Sequence, residues 1–198
     1  MENKHTHLVP EELEQLERLS LTDKHMKLQK SLDASLFCCY AGMRYSDFTN
    51  LSKKNIVDIN QETWLIYKSV KTGTEVRLPL YLLFAGKGIV ILNKYRNNLE
   101  DFFRLRDNSN INKDLIIIAK LAGLSKKISF HTARHTNATL LIYNGVNITT
   151  VQKLLGHKSV KTTQVYTNIM DMTIVHDLEK IKQAALGIKK KTDNSFNK

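Results

Sequence analysis

The sequence predicts an α+β domain that is mainly helical and carries a small antiparallel three-stranded sheet. Three observations predict this class. The 198-residue chain contains only 2 Pro and 8 Gly, and 42% of its residues are hydrophobic. Its apolar residues have helical spacing except between residues 55 and 80, where they alternate as in strands. The length suits one domain with a substantial core, so a second domain is not expected.

The first half of the chain begins with two predicted helices. A short amphipathic helix starts at Pro10, which is followed by two acidic residues and regularly spaced leucines. A longer helix is predicted from Thr22 to about Tyr40 and ends near Gly42. Arg44 therefore lies just past a helix end, where a backbone turn can direct its side chain.

In the next segment the spacing of the apolar residues changes from that of helices to that of strands. Strands are predicted at residues 56–59, 64–67 and 75–80. The run Lys71-Thr72-Gly73-Thr74 has the residue types of a hairpin turn. Lys71 is therefore predicted at the tip of an antiparallel hairpin.

The rest of the chain is predicted to be helical up to a polar tail. Helices are expected at residues 88–97, 112–122, 132–144, 148–155, 159–169 and 172–186. Residues 187–198 form a basic polar tail in this interpretation.

The basic charge is concentrated in the C-terminal part. Residues 120–198 hold 13 of the 30 Lys and Arg but only 4 of the 19 Asp and Glu. No acidic residue occurs from Leu115 through Met170. Such a stretch suits a polyanion, although composition alone leaves nucleic acid and chance equally open.

Cysteine usage and hydropathy indicate the cellular compartment in which the chain acts. Cys38 and Cys39 are adjacent in an apolar run, which is typical of reduced core residues and not of a disulfide framework. The chain has no run of about 18 apolar residues, and its first residues are polar, so neither a membrane span nor a signal peptide is predicted. We expect the chain to act in the cytoplasm, in association with the nucleoid.

Two runs within the acid-free stretch carry reactive groups. One runs from His131 to Thr136 and contains Arg134, and the other runs from Leu155 to Tyr166 and contains His157. Together they supply a hydroxyl nucleophile, two imidazoles and a guanidinium, which can break and rejoin a phosphodiester without metal. Taken singly, each of these side chains would more often serve only packing.

The full set of motifs resembles the tyrosine recombinases of the phage integrase family. The resemblance rests on three motifs in family order: Ala41-Gly42-Met43-Arg44-Tyr45-Ser46-Asp47, His131-x-x-Arg134-His135-Thr136-x-Ala138-Thr139, and Leu154-Leu155-Gly156-His157 with Tyr166 nine residues after the histidine. The match covers nearly the whole chain, and the predicted hairpin lies between the first two motifs, as in the family.

The resemblance implies a catalytic set and a metal-free, ATP-free reaction. The implied residues are Tyr166 as nucleophile, Arg44 and Arg134 as phosphate donors, Lys71 as general acid, His131 as base and His157 as a further donor, with Asp47 in support. Asp47 is less typical, because the family more often has Glu there. Lys68 competes with Lys71 but lies inside a strand and away from the turn.

The resemblance also implies partners and a domain organisation. Double-stranded DNA is the expected substrate, and basic residues of the acid-free stretch are candidates for its backbone: Lys126, Lys127, Lys158 and Lys161. We expect residues 1–186 to form the catalytic domain, monomeric when free and tetrameric on DNA through exchange of the segment from Met172 to about Leu186. We expect the family's preceding core-binding domain to be absent from this chain, and we expect the chain to be a domain cut from a larger protein or, less favoured, a natural short form.

The sequence does not identify the DNA target, and it leaves three alternatives to a recombinase open. Integration or excision of a mobile element is favoured over chromosome resolution or DNA inversion. The three alternatives to a recombinase are a type IB topoisomerase, a non-catalytic DNA-binding module, and a zinc protein that uses His131, His135 and His157. No cofactor is expected.

Overall fold

The computed structural model describes residues 6–166. The predicted helix at 172–186, the end of the predicted helix at 159–169 and the polar tail lie outside this range. The helices are α1 (Pro10–Glu17), α2 (Gln29–Ala41), α3 (Tyr45–Thr49), α4 (Lys87–Lys94), α5 (Leu99–Phe103), α6 (Asn108–Leu121), α7 (Phe130–Tyr143), α8 (Ile148–Leu155) and α9 (Lys161–Gln164). The strands are β1 (Ile56–Ile59), β2 (Glu62–Lys68) and β3 (Glu75–Pro79). Among the described residues, no helix is both long and apolar enough to cross a bilayer.

Helix α2 is the centre of the core. Every residue from Ser31 to Ala41 is buried, and the helix packs against α4, α6 and α7. Cys38 and Cys39 are buried free thiols, as predicted. The prediction that one helix begins at Thr22 was wrong, because residues Asp23–Leu28 form 3₁₀ turns before α2. Only Leu28 of that stretch is buried, so little apolar surface anchors it as α-helix.

The predicted sheet is confirmed. Its order is β1-β2-β3 with both pairs antiparallel, and Tyr67 lies opposite Val76. The β2–β3 hairpin closes through Ser69, whose N–H donates to the Thr74 carbonyl at 2.9 Å and whose carbonyl accepts from the Gly73 N–H at 2.8 Å. Lys71 lies at the exposed tip, as predicted.

An aromatic cluster joins the short helices to α2 and α7. Phe48 of α3 makes edge-on contacts at centroid distances of 5.3 to 5.9 Å. Its partners are Phe37, Phe102, Phe103 and Phe130. Two of them belong to α5, which the sequence did not predict because five residues are too few to display a helical period.

Helices α7 and α8 carry the C-terminal motifs. Ser129 caps α7 by accepting from the Thr132 N–H, and all residues from 132 to 142 are buried. The end of α8 was predicted correctly: Gly156 adopts φ +63°, and a Cβ there would lie 2.6 Å from Val76 Cγ2. This close approach fixes the end of α8 against β3.

Candidate active site

Arg134 is a fully buried guanidinium at the centre of the site. Its side chain is held by three acceptors: Nη1 donates to the Gly42 carbonyl at 2.6 Å, and Nη2 donates to the Leu155 carbonyl at 2.7 Å and to His157 Nε2 at 2.8 Å. Burial, with a further contribution from the charge of Arg44, lowers the pKa of Arg134 to about 10, so the group remains charged at neutral pH. Arg134 thus joins the ends of α2 and α8 to the imidazole.

The backbone carbonyl of Gly42 is available to Arg134 because the chain turns sharply there. Gly42 ends α2 with φ +66°, and a Cβ at this position would meet Asn137 Oδ1 at 2.6 Å. Asn137 in turn donates to the Cys39 carbonyl at 2.9 Å. A glycine is therefore required both by the backbone conformation and by the contact between α2 and α7.

His157 is buried beside Arg134, one residue past the left-handed Gly156. Its Nδ1 lies 3.0 Å from Thr163 Oγ1. Burial is the main reason that its pKa falls to about 4, and the charges of Arg134, Arg44 and Lys71 lower it further. The ring is therefore neutral at physiological pH.

Arg44 is tied to the base of the hairpin by Asp47. Arg44 Nη1 lies 3.5 Å from the buried carboxylate of Asp47 and donates to Ser69 Oγ at 3.3 Å. The same carboxylate accepts from the Val70 N–H at 2.8 Å and from Ser69 Oγ at 3.3 Å. Asp47 therefore positions both the guanidinium and the strand that leads to Lys71.

The hairpin tip docks next to His157. Thr72 Oγ1 donates to the Gly156 carbonyl at 3.1 Å, and the charge of Lys71 acts on the imidazole. Lys71 itself is exposed. The Lys68 side chain lies along the turn, with Cε 3.9 Å from where a Gly73 Cβ would be.

Tyr166 lies at the end of the described chain and is buried, with 4% of its surface exposed. Burial raises its pKa above the usual value near 10, while the charges of Arg134 and Arg44 act in the opposite direction. Its ring centroid is 5.4 Å from that of His135, which lies 4.3 Å from that of His131. His131 is exposed, so a row of three rings runs from the nucleophile to the surface.

A cavity of about 290 Å³ lies beside Tyr166, which forms part of its lining. It is lined by residues 7–11 of the N-terminal segment and by Thr139, Leu140, Ile142 and Tyr143 of α7. The N-terminal segment is held there because the Leu8 N–H donates to Thr136 Oγ1 at 2.9 Å. The lining of the cavity is mostly apolar and includes the ring of the proposed nucleophile.

The four lysines assigned to DNA are not equivalent. Lys127, Lys158 and Lys161 are exposed. Lys126 pairs with Glu12 at 2.6 Å and donates to the His7 carbonyl at 3.0 Å. Its ammonium is thus engaged by the N-terminal segment.

The sequence interpretation missed several residues of the site. His135 follows His131 by one helical turn, and Thr163 precedes Tyr166 by three residues, so helical spacing could have indicated both. Ser69 and Tyr67 gave no such signal. The Tyr67 hydroxyl is buried with no hydrogen-bond partner among residues 6–166, and burial raises its pKa.

Comparison with known proteins identifies relatives along most of the chain. A tyrosine recombinase of Pseudothermotoga lettingae is 30% identical over 181 residues, which are 89% of this chain and 60% of the relative. The tyrosine recombinase XerA of Saccharolobus solfataricus is 34% identical over 134 residues, or 65% of this chain and 42% of the relative. The chain thus spans about half the length of such relatives.

Solved structures share the fold. The crystal structure of a XerA recombinase superposes with a TM-score of 0.68 at 26% identity, covering 88% of this chain and 64% of the other. The crystal structure of a lambda integrase tetramer bound to a Holliday junction superposes with a TM-score of 0.62 at 19% identity, covering 81% of this chain and 47% of the other. At this identity the likeness shows the fold alone.

The family comparison covers the candidate site itself. The sequence pattern of the phage integrase family matches residues 7–172, a range that includes all three motifs and the hairpin. The chain therefore belongs to the phage integrase family, together with the tyrosine recombinases that it resembles.

Proposed function

We propose that this chain is the catalytic domain of a site-specific DNA recombinase with Tyr166 as its nucleophile. One observation carries the proposal: charged groups from separate segments converge on one buried tyrosine. The charges of Arg44 and Arg134 act on Tyr166, and those of Arg44, Arg134 and Lys71 act on His157. Such convergence of cations suits the equatorial oxygens of a phosphate under attack.

The reaction that these residues support is a reversible transesterification. Tyr166 Oη attacks phosphorus while the bond to the 5′ oxygen breaks, and the product is a 3′-phosphotyrosyl link. His131 takes the phenol proton, and Lys71 gives a proton to the leaving oxygen. A 5′ hydroxyl from a partner strand then reverses the step, so the bond energy is conserved without ATP.

Burial of the phenol sets a requirement for this step. Because the pKa of Tyr166 is raised, the group is protonated at neutral pH and needs a base. His135 contacts the rings of both His131 and Tyr166. We therefore include His135 as the side chain that orients the nucleophile toward the base.

Covalent capture of DNA tests the proposal without knowledge of the target. A pool of nicked duplexes with randomised sequence is incubated with the full chain, and SDS-resistant protein–DNA adducts are isolated and sequenced. We expect adducts with the wild-type chain, in EDTA as well, and none with Tyr166→Phe. Adducts that persist in Tyr166→Phe, or that require a divalent metal, would contradict the mechanism.

Recombinant products separate a recombinase from a topoisomerase. The captured sequence is placed twice in a supercoiled plasmid. A recombinase yields excised or inverted products, whereas relaxation without such products indicates a type IB topoisomerase.

We further propose that the domain is monomeric when free and assembles on DNA as a tetramer. The occupant proposed for the cavity beside Tyr166 is the segment from Met172 to about Leu186 of a neighbouring copy, because this apolar segment begins six residues after Tyr166, which lines the cavity. Sedimentation on DNA should show assemblies with the full chain and none with a chain ended at Met170. Unchanged assembly of the shorter chain would refute the exchange.

We also propose which lysines contact DNA and which biological role the reaction serves. Lys127, Lys158 and Lys161 are proposed to contact phosphates, and Lys126 is left out because Glu12 already neutralises it. We propose that the recombinase integrates or excises a mobile element. Relatives named XerC and XerA favour chromosome resolution as the second candidate. Sequencing the DNA that flanks the gene distinguishes the two.

A further inference from the structure

The contact between Arg134 and His157 determines which nitrogen of the imidazole carries the proton. A guanidinium has donors but no acceptor. Because Arg134 Nη2 lies 2.8 Å from His157 Nε2, that nitrogen must accept and is unprotonated. The neutral ring then carries its proton on Nδ1, which lies 3.0 Å from Thr163 Oγ1.

This tautomer is the wrong one for the role that the family resemblance implies for His157 in the proposed reaction, which is to donate a hydrogen bond to the phosphate. To donate a hydrogen bond to a phosphate oxygen, the ring must present Nε2–H. The ring therefore has to leave both Arg134 and Thr163, gain a proton on Nε2 from solvent and lose the proton on Nδ1 to solvent, and then return to Thr163. Nδ1 then changes from a donor into an acceptor.

We propose that Thr163 is a positioning residue whose hydroxyl supports both tautomers of His157. A hydroxyl can accept from Nδ1–H in the free protein and donate to Nδ1 when Nε2–H faces the phosphate. A carboxylate or an amide nitrogen could serve only one of these states. Thr163 is fully buried, so water does not substitute for it.

The position of Thr163 links the tautomer to the nucleophile. Thr163 belongs to α9 and precedes Tyr166 by three residues, and the Tyr166 N–H donates to the Thr163 carbonyl at 3.1 Å. The hydrogen bond to His157 therefore also fixes the nucleophile relative to the buried guanidinium. Arg134, Arg44 and Lys71 are the charged groups that act on the ring, and they favour its neutral form.

Nitrogen NMR on the free protein tests the tautomer. Two-bond correlation spectra of ¹⁵N-histidine-labelled full chain, assigned with His157→Gln, distinguish a protonated Nδ1 from a protonated Nε2. We expect His157 to be neutral with its proton on Nδ1 in the wild-type chain and in Thr163→Ser. A ring protonated on Nε2 in the free protein would overturn the proposal.

Single-turnover cleavage tests the role on DNA. Using a duplex obtained by covalent capture, we expect Thr163→Val to form the phosphotyrosyl adduct about 10- to 100-fold more slowly, the cost of one buried hydrogen bond. Thr163→Ser should restore the rate, and Thr162→Val, at the exposed neighbour, should match the wild type.

The outcomes separate this inference from the proposed function on which it rests. An unchanged rate in Thr163→Val would overturn it, as would a well-folded Thr163→Ser that is as slow as Thr163→Val. Absence of any adduct from the wild-type chain would refute the proposed function, whereas the NMR result tests the tautomer of His157 on protein alone.

Discussion

The buried arginine layer and the hairpin tip hold their charged groups in opposite ways. The buried arginine layer consists of Arg134 and its three acceptors, which are the backbone carbonyls of Gly42 and Leu155 and the ring of His157, and Arg134 there is 1% exposed. The hairpin tip, residues 70–74, exposes Lys71, and a hydrogen bond from Thr72 Oγ1 to the carbonyl of Gly156 links it to the backbone between Leu155 and His157.

This contrast in burial determines which charged groups can be preorganised before DNA binds. A buried guanidinium costs much solvation free energy, and backbone carbonyls offset that cost only if the chain holds them in place. The layer must therefore be assembled before DNA binds. An exposed ammonium has no such cost, so the tip can take its final position when the substrate arrives.

Substitution Arg134→Lys should produce the largest effect. A lysine cannot contact the Gly42 carbonyl, the Leu155 carbonyl and His157 together, nor offer a planar fork to phosphate. We expect adduct formation to slow by about 1,000-fold or more and unfolding free energy to fall by about 3 kcal/mol. Single-turnover cleavage and urea unfolding measure the two effects, and a lysine variant with wild-type stability would show that the layer is not preorganised.

Substitution Lys71→Ala should affect only chemistry. Loss of a general acid should slow adduct formation by about 100-fold, while the unfolding free energy should change by less than about 0.5 kcal/mol because the side chain is exposed. Lys68→Ala is the matched control on the same hairpin and should cleave normally. Slow cleavage in Lys68→Ala with a normal rate in Lys71→Ala would reverse the assignment.

A matched pair of glycine substitutions compares the two regions in stability. Gly42 and Gly73 have φ of +66° and +68°, but a Cβ at Gly42 would lie 2.6 Å from Asn137 Oδ1, whereas at Gly73 the nearest atom is 3.9 Å away. We expect Gly42→Ala to lower the unfolding free energy by about 3 kcal/mol and Gly73→Ala by about 1 kcal/mol. If urea unfolding showed equal losses of unfolding free energy in the two variants, backbone strain alone would account for both losses.

The pH dependence of stability should show the smallest effect. His157 has a pKa of about 4 in the folded chain and about 6.5 when unfolded. The unfolded chain therefore binds a proton more readily, so stability falls as the pH drops from about 6.5 toward 4, by about 2 kcal/mol. Urea unfolding across this pH range should show that the unfolding free energy of His157→Gln changes less with pH than that of the wild type. The same pH dependence in both proteins would contradict burial of a neutral ring.

Much of the local structure could be predicted because its signals are local. Alternating residues and the turn Lys71–Thr74 predicted the hairpin, and Gly42 and Gly156 predicted two helix ends. The start of α2 and the existence of α5 could not be predicted in this way. Both depend on which short stretches find apolar partners in the core, and α5 does so through Phe102 and Phe103.

The candidate residues were also predictable as a set, but their states were not. The motifs named Arg44, Arg134, His157 and Tyr166 from spacing and resemblance alone. Nothing in the motifs indicated that Arg134 would be almost fully buried or that Lys126 would pair with Glu12. His135 was present in a quoted motif, yet only the contact between its ring and Tyr166 gave it a place in the site.

The fold class, the family and the residue types available for chemistry follow from the amino-acid sequence alone, because periodicity, turn residues and motif order are properties of the chain. The protonation and orientation of those residues depend on the folded structure. The tautomer of His157 depends on Arg134 and Thr163, which lie 23 residues before it and 6 residues after it. Burial and hydrogen-bond partners arise when distant segments pack together, so a pattern along the chain does not contain them.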